Sequence, residues 1–122
     1  MDVDWSSMKL PNGARAVVDI EKLRGYCLST RHPEGRHKAR VFLSALGIAS
    51  TDAERLREIL LSAAAVNSEI SMTGADKFGY RYSMDVLVNW GSREAIVRSA
   101  WIIKIGEDVP RLISCYVLRR AA

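Results

Sequence analysis

Tyr80-Arg81-Tyr82-Ser83-Met84-Asp85-Val86-Leu87-Val88-Asn89-Trp90, followed by Gly91-Ser92-Arg93 and then by Glu94-Ala95-Ile96-Val97-Arg98-Ser99-Ala100-Trp101-Ile102-Ile103-Lys104-Ile105, is the stretch that decides the fold. Both runs are rich in β-branched and aromatic residues and alternate in polarity, which is the pattern of strands exposed on one side. A connection this short forces the two strands to be antiparallel neighbours. Gly106 to Pro110 is a second turn, and Arg111 to Leu118 is a third strand of the same kind. A strand over about Glu69 to Thr73 would precede them. The reading is a meander of three to four antiparallel strands.

Alternation sorts the strand residues into two faces. Tyr82, Met84, Val86 and Val88, then Ala95, Val97, Ser99, Trp101 and Ile103, then Ile113, Cys115 and Val117 form the core face. The other face carries Arg81, Ser83, Asp85 and Asn89, then Arg98 and Lys104, then Ser114 and Tyr116. Arg81, Arg98, Lys104 and Tyr116 would line an open cationic surface. Equally, exposed sheet faces are normally polar, and cross-strand Arg–Asp pairs are common on them.

Upstream the period changes from two to that of helices. Asp19 suits an N-cap for a helix over Ile20 to Leu28, with Ile20, Leu23, Cys27 and Leu28 on one face. Pro33 discourages helix at His32. A second helix starts near Gly35 or Arg36, buries Ala39, Phe42, Leu43 and Leu46, and ends at Gly47. Thr51 and Glu54 read as a capping box for a third helix reaching about Asn67, with Leu56, Ile59, Leu60 and Ala63 inward. The fold class is α+β: about three N-terminal helices on one face of a C-terminal meander. A length of 122 residues fits a single domain over 1–122, with an arm at 1–12, a helical half at 14–67 and the meander at 69–118.

Composition is that of an ordinary globular chain, 48% hydrophobic and 26% charged. No apolar run approaches the roughly 18–20 residues of a membrane span. The acidic start Met1-Asp2-Val3-Asp4 resembles neither a secretory signal nor a transit peptide. The expectation is a cytoplasmic protein without a membrane partner. Cys27 and Cys115, far apart and each within an apolar run, read as buried free thiols, with a disulfide as the alternative. Residues 14 to 40 hold seven basic groups against three acidic ones, a surplus equal to the net charge of +4 of the whole chain. Such a segment attracts polyanions, or is simply a solvated helix face.

Arg31-His32-Pro33-Glu34-Gly35-Arg36-His37-Lys38-Ala39-Arg40 is the chemically densest segment. Metal-free RNA cleavage needs a base for the 2′-hydroxyl, an acid for the departing 5′-oxygen and cations for the phosphate. Histidine suits the first two tasks, and lysine and arginine the third. The structural alternative has His32 capping a loop and His37 on a wetted helix face. No glycine-rich phosphate loop or nucleophile elbow occurs, and two histidines without clear partners make a poor zinc site. No metal and no cofactor are expected.

His32-Pro33-Glu34-Gly35-Arg36-His37-Lys38-Ala39-Arg40-Val41-Phe42 resembles a bacterial domain family of unknown function with the pattern His-Pro-x-Gly-x-x-Lys-Ala-x-x-Phe. Phe78-Gly79-Tyr80-Arg81-Tyr82 is similar to its Phe-Gly-x-x-Tyr. Arg98-Ser99-Ala100-Trp101-Ile102-Ile103 and Pro110-Arg111-Leu112-Ile113-Ser114-Cys115-Tyr116 are similar to its Val-Trp-Ile-Ile and Pro-Arg-Leu-Val-Thr-Ala-Tyr-Pro. The resemblance covers about Lys9 to Leu118. Ser114 replaces a more usual Thr, and Val117 a Pro.

Members of that family stand alone or end phage-associated and polymorphic toxins. Their helices-then-meander order is similar to that of the barnase, EndoU, colicin and RelE ribonucleases. What the resemblance implies is a metal-independent endoribonuclease toxin of a toxin–antitoxin or toxin–immunity pair. Its catalytic residues would be His32, His37, Lys38, Arg98 and Tyr116, with Arg36, Arg40, Arg81, Lys104 and Ser114 binding substrate. RNA and a small acidic antitoxin or immunity protein would be the partners. The alternative is a non-catalytic basic module that binds an acidic protein or nucleic acid.

Overall fold

In a computed structural model of the chain, residues 9–66 and 70–120 are described. The expected arm up to residue 8, the end of the third helix at Asn67 and the first strand's Glu69 lie outside them.

Four strands form one antiparallel sheet in the order β1 (Ile70–Asp76), β2 (Gly79–Trp90), β3 (Arg93–Lys104) and β4 (Arg111–Arg120). Trp90 pairs directly with Arg93, so Gly91 and Ser92 make a two-residue turn, with Gly91 at the positive φ of 63° that such a turn requires. The first helical element, α1 (Ile20–Lys22), is capped by the Asp19 carboxylate, which accepts from the Glu21 N–H at 3.0 Å. It does not continue as an α-helix. Leu23–Cys27 is π-helical, and its widened turn closes with Leu28 N–H donating to the Leu23 carbonyl. Helices α2 (Arg36–Leu46) and α3 (Ala53–Val66) follow. A 3-10 turn, Ser50–Asp52, precedes α3, so it is Asp52 rather than Glu54 that reaches back, accepting from the Ala49 N–H at 2.9 Å.

The helical half covers one sheet face: α2 lies over β4 and β3, and α3 over β2. Their buried sides, Ala39, Phe42, Ala45 and Leu46 on α2 and Leu56, Leu60 and Ala64 on α3, meet Met84, Val88, Val97 and Trp101. Leu43, read as buried, is 49% exposed, and Ala45 takes its place. Ile59 and Ala63 sit only at the margin of the core.

The phase of β4 also departs from simple alternation. Ala100 pairs with Ser114 but Trp101 pairs with Leu112, so Ile113 is an inserted bulge residue. Leu112 is therefore buried where Ile113 was expected, while Cys115 keeps its inward place. The outer edge of β4 is covered near its start by a short parallel bridge from Val17 to Arg111, with Leu112 N–H donating to the Val17 carbonyl at 2.9 Å.

Ser99 is the one fully buried polar residue of the described core, and its hydroxyl is satisfied on both sides. It donates to the Met84 carbonyl at 3.1 Å and accepts from the Trp101 indole N–H at 2.8 Å. Ser99→Ala leaves that indole N–H buried without a partner. The expected cost is about 1–3 kcal/mol, read as a lower urea midpoint at unchanged m-value. An unchanged midpoint would contradict this account of the centre of the sheet.

Candidate functional site

The start of α2 is built by a local hydrogen-bond staple. The Ser29 hydroxyl accepts from the backbone N–H groups of Arg31 (3.3 Å) and His32 (3.2 Å). The His32 ring then accepts at Nδ1 from the N–H groups of Glu34 and Gly35, both at 3.0 Å. With that lone pair engaged, the ring carries its proton on Nε2, which makes it a hydrogen-bond donor rather than a base. His32 thus takes the loop-capping role of the structural alternative. Gly35 is required here, because a Cβ would run into the Tyr26 carbonyl.

This close approach brings α2 against the π-helical turn. The Lys38 ammonium lies 3.3 Å from the Tyr26 hydroxyl and 4.9 Å from the centre of its ring. The same ring meets His32 edge-on, with centroids 4.8 Å apart. Two hollows lie to either side. One, of about 530 Å³, is bordered by Tyr26, His32 and Ser114 together with Glu34, Glu21 and Lys22. The other is a groove of about 320 Å³ between α2 and β4, formed by His37, Lys38, Val41, Tyr116 and Val117. Lys38 is half-buried between them.

Arg98 and Tyr116 are directly opposed on β3 and β4, and Asp85 opposes Arg98 on β2. The guanidinium grips Asp85 through two hydrogen bonds of 2.8 and 2.9 Å. That bidentate pair holds the Asp85 carboxyl below its usual range and Arg98 firmly ionised, with a smaller contribution from the Tyr116 phenol opposite. Arg98 is therefore already paired and is not an unpaired phosphate clamp. Of the five expected catalytic residues, His37, Lys38 and Tyr116 share the groove. His32 is linked to Lys38 through Tyr26, and Arg98 stands beside Tyr116.

The residues expected to bind substrate divide into three groups. Arg36 and Arg40 are exposed on α2 and, with Arg31, form no ion pair among the described residues. Arg81 pairs with Asp76 at 3.1 Å and lies with Lys104 at the far end of the sheet, away from the groove. Ser114 pairs with Ala100, on the open face where it was expected, and its hydroxyl lies 3.8 Å from the Cys27 sulfur.

Tyr26 and Cys27 are the participants that the sequence did not single out. Both thiols are free and buried. The Cys27 sulfur accepts from the Cys115 backbone N–H at 3.3 Å. Hydrogen bonding from the Cys115 thiol is the main influence that draws Cys27 down, against burial, to about 6; the Cys115 N–H, the Ser114 hydroxyl and the Lys38 charge add to it. The Cys115 thiol is pushed up by the same contact and by burial. The partners of Cys27 are 87 and 88 residues away, so no local signal could have found this cluster. Among the described residues no three His, Cys, Asp or Glu side chains are placed to share a metal ion, and no helix is long and apolar enough to cross a membrane.

A family model for a domain of unknown function (DUF6883) matches residues 9–119, and the chain belongs to that family. No curated protein and no solved structure matches it.

The Cys27 environment has a measurable consequence. Its thiolate absorbance should titrate in the folded protein near pH 6, and this step should vanish in Cys27→Ser. Because the folded value lies below the ordinary cysteine value of about 8.5, Cys27 contributes stability at alkaline pH that is lost as pH falls through the folded value. The stability gap between parent and Cys27→Ser should therefore narrow on acidification. A single thiolate step at the ordinary value would contradict the arrangement.

Proposed function

We propose that this domain is a metal-independent endoribonuclease, acting as the toxin of a toxin–antitoxin or toxin–immunity pair, with its reaction centre in the groove between α2 and β4. The observation that carries this reading is the convergence of His37, Lys38 and Tyr116 on one groove from elements almost 80 residues apart in sequence, with Arg98 directly opposite Tyr116 on β3. Unpaired Arg31, Arg36 and Arg40 nearby supply the positive field that a polyanion would follow.

In this scheme His37, exposed on α2, takes the proton of the RNA 2′-hydroxyl. The 2′-oxygen attacks the adjacent phosphorus, and Lys38 stabilises the charge that builds on the phosphoryl oxygens. Tyr116 donates its proton to the departing 5′-oxygen, and the Arg98 guanidinium offsets the charge left on the phenol oxygen. The products are a 2′,3′-cyclic phosphate and a 5′-hydroxyl. His32 offers Nε2–H as a donor to the bound strand and holds the loop in place. A small acidic antitoxin or immunity protein would neutralise the α2 arginines.

One observation favours a second reading. Arg98 is already held by Asp85 and the His32 Nδ1 by two backbone N–H groups, as in a basic module that binds nucleic acid or an acidic protein without chemistry.

The two readings part on expression from a tight inducible promoter. The ribonuclease reading predicts growth arrest with discrete fragments of total RNA on a gel. His37→Ala, at an exposed position, should lower cleavage by about a hundredfold or more without shifting the thermal midpoint, and Lys38→Ala should relieve toxicity. Harmless expression of folded protein with intact RNA would favour the binding module. A Lys38→Ala or His37→Ala protein as toxic as the parent would refute the residue roles.

A further inference from the structure

At the opposite end of the sheet from the α2 groove, two sequence blocks that the cleavage scheme leaves idle come together. Phe78-Gly79 forms the tip of the β1–β2 hairpin, and Pro110-Arg111 opens β4. They border a cavity of about 430 Å³, within the roughly 300–1,000 Å³ range of ligand pockets.

Phe78 is 58% exposed, yet it is held firmly. The Asp76 carboxylate accepts from the N–H groups of Phe78 (2.8 Å) and Gly79 (3.3 Å). The Phe78 carbonyl accepts from Ile105 N–H at 3.0 Å, which ties the hairpin tip to the β3–β4 turn. Gly79 has a φ of 151°, and a Cβ there would strike the Ile103 carbonyl. A carboxylate cap and an obligatory glycine thus fix the backbone that presents this ring to solvent, with the Lys77 ammonium 5.2 Å from the ring centre.

Four cations border the same cavity: Lys22, Arg81, Lys104 and Arg111. Arg81 is paired with Asp76 and Arg111 with Glu107, which orients both guanidiniums. Lys22 and Lys104 form no ion pair among the described residues. The one carboxylate on the rim, Asp19, is engaged in capping α1. Ile102 and Leu112, both buried, also border the cavity.

We infer that this cavity binds a nucleotide unit, its base stacked on Phe78 and its phosphate held by Lys22 and Lys104. An exposed aromatic ring on a fixed backbone, beside ammonium groups without an ion pair among the described residues, matches both parts of that ligand: stacking needs an accessible π-face, and a phosphate needs charge that is not already neutralised. The site is separate from the α2 groove and does not depend on cleavage.

The test is calorimetric titration of the full chain with adenosine monophosphate and, separately, with a short single-stranded oligoribonucleotide, on the His37→Ala background so that no strand is cut. Saturable binding that weakens roughly tenfold in Phe78→Ala, and that Phe78→Tyr retains, supports the site. Lys104→Glu should weaken binding further and flatten its salt dependence. If the mononucleotide binds, the natural ligand can be a free nucleotide; if only the oligonucleotide binds in this Phe78-dependent way, it is a unit of a strand. No binding of either probe, or binding that is equal in the parent, Phe78→Ala and Lys104→Glu, overturns the inference. Both substituted side chains are exposed, and unchanged thermal midpoints will verify folding. Failure of RNA cleavage in cells leaves this result untouched.

Discussion

The arrangement at the β4 edge depends on how closely the start of α2 approaches the Tyr26 carbonyl. Only a glycine at position 35 permits that contact, and the His32 ring holds the preceding loop by accepting from two successive N–H groups. Once α2 is seated there, helical geometry does the rest. Lys38, three residues along, lands on Tyr26, and Phe42, a turn further, enters the core. His37 and Val41 are left facing the outer groove beside β4. The π-helical turn serves the same end, since its extra residue per turn keeps Tyr26 toward α2 while both Leu23 and Cys27 stay buried.

The sheet contributes through a second local irregularity. A regular β4 would alternate from Leu112 to Tyr116 without interruption. The bulge at Ile113 lets Leu112 and Cys115 both point inward, while the Ser114 hydroxyl lies 3.8 Å from the Cys27 sulfur. Tyr116 stays opposite Arg98, so one short strand links the thiol cluster, the groove and the Asp85–Arg98 pair. Such bulges recur where a strand must re-aim side chains.

The sequence made the architecture legible because its cues are local. Alternation over Tyr80–Ile105 and the Gly91-Ser92 turn specify the meander, and the stripe through Ala39, Phe42 and Leu46 specifies α2. The errors have local physical causes as well. Leu43 lies just off the apolar stripe, and strict alternation cannot anticipate an inserted residue, which is why Ile113 was placed on the core side. Asp19 correctly announced a helix start, but nothing in Leu23–Cys27 announces a π-turn. The site was only partly readable. The segment from His32 to Arg40 advertises its chemistry, and the sheet face pairs Arg98 with Tyr116. That Lys38 meets Tyr26, that Cys27 meets Cys115, and that Phe78 shares a cavity with Lys22 and Arg111 are consequences of tertiary packing alone.

The two ends of the sheet have different chemical characters. The α2 end gathers an imidazole, an ammonium and a phenol around a groove; the hairpin end presents an aromatic ring among cations. A single-stranded polyanion is a ligand that both could engage. The central claim is the chemistry at the α2 end, and the most direct measurement is of the product termini. A defined oligoribonucleotide would be incubated with the purified chain in excess chelator and the fragments analysed by mass spectrometry. Fragments ending in 2′,3′-cyclic phosphate, with 5′-hydroxyl partners, are what attack by the neighbouring 2′-oxygen requires. Fragments bearing 5′-phosphates, or an uncut strand from folded protein, would contradict it.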